Sequence, residues 1–179
     1  GIVFVSNVVQ KHIEYAVSQK IPCVLVNSYS DKLPSVLSDN RKGAYLAGRY
    51  LIEHGHKTVA LLAGVRSYLS TRTAGFLQAF QEEGLSIPPE LILETGSWLY
   101  DAAEKVCLNF FNTYTGEMPT ALFAFNDRLA TGAINAICKT GRTVPDDVSV
   151  IGYDNLGYYN IISPRITTVE THIEAISES

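Results

Sequence analysis

The chain has 179 residues, 46% of them hydrophobic and 18% charged, with a formal net charge of −4. That balance describes a globular protein and excludes a disordered one. No apolar run approaches the roughly 18 residues of a spanning helix, and no Lys/Arg cluster offers a grip on a phosphate backbone. The length suits one large domain or two small ones. Cys23, Cys107 and Cys138 are odd in number, widely spaced and set among apolar residues. They predict reduced core thiols in a cytoplasmic protein, not a disulfide framework or a zinc site. The chain opens directly on a strand-like run, with no basic start or signal-type apolar segment, as if cut from something longer.

Strand-like and helix-like segments alternate from there. Ile2 to Val5 reads as a strand, Lys11 to Gln19 as a short helix, Pro22 to Asn27 as a second strand and Ser35 to Ser38 as a third. Asp39-Asn40 introduces a helix from Arg41 to His54, with Ala44, Ala47, Gly48 and Leu51 on one face and Gly55 as a left-handed stop. Thr58 to Ala63 is continuously apolar, as in a strand covered on both faces. The loop Gly64 to Ser70 leads to a helix from Thr71 to Glu83 that turns Phe76, Leu77 and Phe80 inward and stops at Gly84. Leu91 to Glu94 is a strand. After Gly96-Ser97-Trp98 a helix runs from about Tyr100 to Asn112, with Ala103, Val106, Cys107 and Phe110 as its stripe. Ala121 to Phe125 is a buried strand that hands over at Asn126-Asp127 to a helix ending at Gly141. Asp147 to Gly152 runs into Tyr153-Asp154-Asn155. A Gly/Tyr/Pro-rich loop covers Gly157 to Arg165, Thr167 to Glu170 is the last strand, and a helix begins near His172. Repeated βαβ units predict a parallel sheet with helices on both faces. No internal repeat, low-complexity tract or charged linker interrupts them.

The residues after the strands form a set: Asp39-Asn40, the loop before Arg72, Trp98, Asn126-Asp127 and Tyr153-Asp154-Asn155. In a parallel sheet all of them fall at the carboxyl edge, where open α/β folds bind ligands. Together they offer carboxylate and amide acceptors, a forked guanidinium and one indole, which suits a neutral polyhydroxyl ligand. Each has a structural alternative. Asp39 or Asn40 would cap its helix, Arg72 would lie on a solvated face, Trp98 would be packing, and Asp154-Asn155 a turn. Asn126-Asp127 competes with the same reading, with Asp127 as the cap. His12, His54, His56 and His172 are scattered and read as surface. No phosphate-binding glycine fingerprint, nucleophile signature or metal-ligand spacing is present, so no catalytic residue, metal or cofactor is expected.

Four segments resemble the effector-binding domain of LacI/GalR-type transcription regulators. They are GAYLAGRYLIEHGHKTVALLAG (43–64), RTAGF (72–76), PTALFAFNDRLATGA (119–133) and VPDDVSVIGYDNLGYYNIISPRITTV (144–169). The ribose-type periplasmic sugar-binding proteins share the ND and YD positions, but the HGH…LLAG, VPDDVSVIGYDN and PRITTV wording resembles the regulators. The resemblance implies a type I periplasmic-binding-protein-like fold, α/β, with two Rossmann-like parallel-sheet lobes closing on a ligand. Residues 1–38 would be the latter part of the N-terminal lobe, 39–164 most of the C-terminal lobe, and 165–179 the return to the first. Crossings would lie at Ser38-Asp39-Asn40 and at about Pro164 to Thr167, with a third beyond Ser179. The resemblance also implies roles. Asp39, Arg72, Trp98, Asn126 and Asp154 would contact the ligand, Arg72 gripping it and Trp98 stacking on it. Asp127 and Asn40 would cap helices beside the site. Thr171 stands near a position often held by a polar contact, frequently Gln.

The expected function is therefore sensing by a transcription repressor, with no enzymatic activity. A sugar, or alternatively a nucleobase or nucleoside, would bind between the lobes. Operator DNA would be bound only through a helix-turn-helix outside these residues, in a cytoplasmic homodimer without membrane contact. The rivals are a ribose-type periplasmic binding protein serving a transporter, and a glycosidase using Asp39 and Asp154 as an acid/base pair.

Overall fold

The computed structural model describes residues 1–5, 9–65, 70–155, 157 and 165–171. The chain divides into two compact units, residues 1–39 with 172–179, and residues 40–171. In the first, β1 (Ile2–Val5), β2 (Cys23–Val26) and β3 (Ser35–Val36) form a parallel sheet in that order. Helix α1 (Gln10–Ser18) buries Ile13 and Ala16, and β2 buries Leu25.

The second unit carries the core. Its sheet runs β5 (Ile92–Glu94), β4 (Val59–Ala63), β6 (Ala121–Ala124), β7 (Ser149–Asp154) and β8 (Thr167–Glu170), all parallel. Every residue of β4 and β6 is buried, which is why both read as unbroken apolar runs and not as alternating ones. Helix α2 (Asn40–Glu53) packs on α3 (Thr71–Glu82), and α4 (Tyr100–Thr113) on α5 (Asp127–Lys139). Gly55 has φ +86°, the left-handed stop that an L side chain disfavours.

The strand order determines where a ligand can sit. The chain leaves β4 towards β5 through α3, but leaves β6 towards β7 through α5. Right-handed crossovers in opposite directions put α3 and α5 on opposite faces of the sheet. A crevice therefore opens at the carboxyl ends of β4 and β6, the topological switch point of an open α/β sheet. An aromatic row leads to it from inside. The rings of Phe76 and Phe123 stack 4.7 Å apart, and Phe123 and Tyr153 lie 6.3 Å apart.

Three expectations are corrected. Residues 165–171 do not leave the larger unit, because β8 pairs with β7 from Ile151↔Thr167 to Asp154↔Glu170. The division falls after Thr171, not near residue 164. Not all the cysteines lie in the core, since Cys138 is exposed at the end of α5 while Cys107 is buried. Phe111 joins the buried stripe of α4, and Val106 is only partly buried against it. The helix expected from His172, most of the loop 157–165 and positions 66–69 of the loop 64–70 lie outside the described residues.

Candidate functional site

Arg72 is the centre of the carboxyl edge. It stands in the first turn of α3, which Ser70 caps by accepting from the Thr73 N–H at 3.0 Å. Its Nε donates to Asn40 Oδ1 at 2.8 Å, at the first residue of α2. One terminal nitrogen donates to the Phe125 carbonyl just past β6, and the other to Asp154 Oδ1 at 3.3 Å at the end of β7. The guanidinium carbon sits 3.6 Å from the centroid of the buried Tyr153 ring, a cation–π contact. One N–H on each terminal nitrogen remains uncommitted by these bonds.

Tyr153 and Asp154 are neighbours in a strand, so a regular pleat would send their side chains to opposite faces. Both reach Arg72 because Asp154 has φ +100° and Asn155 φ +52°. Asp and Asn tolerate this backbone better than most residues. Behind Tyr153 there is no room for a side chain at position 43, where an added Cβ would come within 2.3 Å of the Tyr153 hydroxyl.

Burial pushes the Asp154 carboxyl up to about 6, against the lowering influence of Arg72 and with a further rise from the charge of Asp127. Burial wins because the ion pair is a single long contact, while the rest of the guanidinium is turned to Asn40 and Phe125. Thr171 Oγ1 donates to the Asp154 carbonyl at 3.3 Å.

The roles expected of Asn126 and Asp127 as helix cap are reversed. Asn126 is the N-cap of α5, its Oδ1 accepting from the Leu129 N–H at 2.7 Å in extended backbone geometry. The sequence points to the adjacent carboxylate because Asp is an equally favoured cap residue. Asp127 is instead the first helical residue, buried, with Oδ1 accepting from the Thr168 hydroxyl at 2.6 Å. Gly152 makes this possible, since a Cβ there would lie 2.3 Å from the same oxygen. Asp127 therefore ties α5 to β7 and β8. The cap uses Asn126's oxygen and leaves its NH2 as the group able to donate outward. Asn40 is likewise the first helical residue of α2 and not its cap, with its side-chain oxygen turned to Arg72.

Trp98 follows β5 and rests on the backbone of Gly64, the residue after β4. A Cβ at Gly64 would meet its ring atoms at 2.4 to 2.6 Å. The indole is still 42% exposed; Leu99, next to it in the chain, and Val65, next to Gly64, are exposed too. These apolar side chains follow β4 and β5 at the same carboxyl edge as the polar cluster. Arg72, Asn40, Asp154 and the Phe125 carbonyl are joined directly, and Asn126 follows Phe125. Asp39 belongs to the other compact unit. Sequence reasoning missed Tyr153 as the ring beneath Arg72 and Gly64 as the seat of the indole. Their signal was adjacency, Tyr153 to Asp154 and Gly64 to the end of an apolar strand. No described helix is long and apolar enough to cross a membrane, and no group of potential metal ligands occurs among the described residues.

The periplasmic binding protein-like domain family matches residues 49–179. The HTH-type transcriptional repressor PurR of Pasteurella multocida is 39% identical over 153 residues, 83% of this chain and 45% of its own length. A regulatory protein of the LacI family from Chloroflexus aggregans superposes with a TM-score of 0.87 at 27% identity, over 97% of this chain and 63% of that one. A LacI family transcriptional regulator from Enterococcus faecium, solved with bound ribose, has a TM-score of 0.83 at 26% identity, over 98% of this chain and 67% of its own. The chain spans about half the length of the curated relatives it matches.

Proposed function

This chain belongs to the periplasmic binding protein-like family and, within it, to the LacI/GalR-type regulators, and from that membership we propose that it senses a small polyhydroxyl effector for a transcription repressor. The observation that supports the reading is the guanidinium of Arg72, held by Asn40, Phe125 and Asp154 at the switch point of the sheet. In this reading Arg72's uncommitted N–H groups and the Asn126 amide donate to ligand oxygens. The Asp154 carboxylate accepts from hydroxyls, and Trp98 covers an apolar ring face. A ligand lacking one hydroxyl would leave a partly buried polar group unpaired, so the site would discriminate strongly. The ribose bound to the Enterococcus faecium regulator makes a sugar the first class to test. A nucleoside, which carries the same ribosyl hydroxyls, is the second.

The lobes would be residues 1–39 and 40–171, with Asp39 supplying a contact at the crossing. The effector would change the closure of the lobes, binding without turnover. A ligand shifts such an equilibrium only as far as it prefers one state. Operator contact would come from a helix-turn-helix outside these residues, in a cytoplasmic homodimer. The test is operator affinity of the gene-length protein with and without a panel of pentoses, hexoses and nucleosides. A change of about tenfold or more with one of them is expected, equivalent to a coupling of about 1.4 kcal/mol. Operator affinity indifferent to the whole panel would refute the reading.

A further inference from the structure

The end of the larger sheet away from Arg72 also carries a cavity, of about 230 Å³. It lies at the amino edge, where Ser149 begins β7 and Thr167 begins β8. Leu51, Ile134, Val144, Val150, Ile151 and Ile166 give it an apolar floor. Its polar lining consists of Tyr50, His54, His56, Ser149, Arg165 and Thr167, with no carboxylate among them. The nearest acids along the chain are turned to other work or lie outside the lining. Asp147 accepts from the Thr143 N–H and hydroxyl, both at 2.7 Å.

The histidines are oriented by their own bonds. His54 Nδ1 lies 2.7 Å from the Tyr50 carbonyl, which can only accept, so Nδ1 carries the proton. His56 Nδ1 pairs with Thr120 Oγ1 at 2.9 Å. In both rings Nε2 is the nitrogen left for the cavity. Burial, and then the charge of His54, hold the His56 pKa below its ordinary value, so the two rings already sense each other. A bound anion beside His56 would oppose that lowering.

We propose that this cavity is a second small-molecule site, separate from the carboxyl-edge cluster, and that it takes a compact carboxylate with an apolar body. The apolar floor excludes a bare inorganic anion as the best fit. Arg165 supplies the charge complement, each His Nε2 adds a donor when its ring is protonated, and the volume lies below the roughly 300 Å³ at which drug-sized sites begin. The site does not depend on the effector reading, because it shares no residue with that cluster.

The experiment is a titration of the whole chain with benzoate, followed by the His54 and His56 imidazole resonances. Benzyl alcohol, which lacks the charge, and acetate, which lacks the body, are the controls. Benzoate is expected to shift both rings saturably and to bind at least about tenfold more tightly than either control. His54→Gln and Arg165→Gln, both at exposed positions, should each weaken benzoate about tenfold while Asn126→Asp leaves it unchanged. No saturable shift, equal binding of benzyl alcohol or acetate, or indifference to both rim variants would overturn the proposal.

Discussion

Asn126 shows how one side chain can serve fold and ligand at once, and how the two are separated. Asn126→Ala removes the cap, and denaturant unfolding should record a loss of about 1 kcal/mol along with any loss of effector binding. Asn126→Asp keeps a cap oxygen and removes the NH2 donors, so stability should hold while effector affinity falls about tenfold or more. Asp154 adds a pH signature. Its folded pKa, about 6, lies above its ordinary 3.8, so the folded protein holds this proton more tightly than the unfolded chain. The stabilisation is fully present below pH 4 and is lost as pH rises through about 6. Unfolding free energies measured from pH 4 to 7 should therefore carry a downward contribution of about 1 to 3 kcal/mol from this group. Asp154→Asn should flatten it. The identity of these residues was legible from their places after the strands. Which of Asn126 and Asp127 caps the helix was not, because both side chains cap well and only the depth of Asp127 beside Gly152 decides between them.

The elements themselves were the most legible feature. The buried runs of β4 and β6 and the stripe of α2 are local patterns, and each element falls within a few residues of its expected span. The membership of β8 is non-local. Nothing within Thr167–Glu170 records that its partner is β7 and not a strand of the other unit. Close approaches between elements are equally silent in sequence. At Gly152 an alanine methyl would press on the Asp127 carboxylate that joins α5 to β8. Gly152→Ala should cost about 1 to 3 kcal/mol in denaturant unfolding. Gly64→Ala would drive a methyl into the Trp98 ring. Because Trp98 is the single tryptophan, its displacement should appear directly as a shift in fluorescence emission.

At the scale of the molecule, the larger unit is held by one continuous core from Ala44 to Tyr153. Cys107 sits inside it, with burial pushing its thiol up to about 12, while Cys138 is exposed. A thiol reagent should modify Cys138 readily in the native protein and reach Cys107 only when this core unfolds. Function at this scale was legible only through family resemblance. Composition excludes classes of function but does not name a ligand, and the strand-end residues acquire meaning only once the parallel order brings them to one edge. The most direct test of the proposed effector site is calorimetric titration of the wild-type chain and its Asn126→Asp variant with the pentose, hexose and nucleoside panel. The account predicts that at least one hydroxylated ligand binds the wild type saturably and loses about tenfold or more of its affinity in the variant. A ligand that binds both proteins equally, or a panel in which nothing binds the wild type, would contradict it.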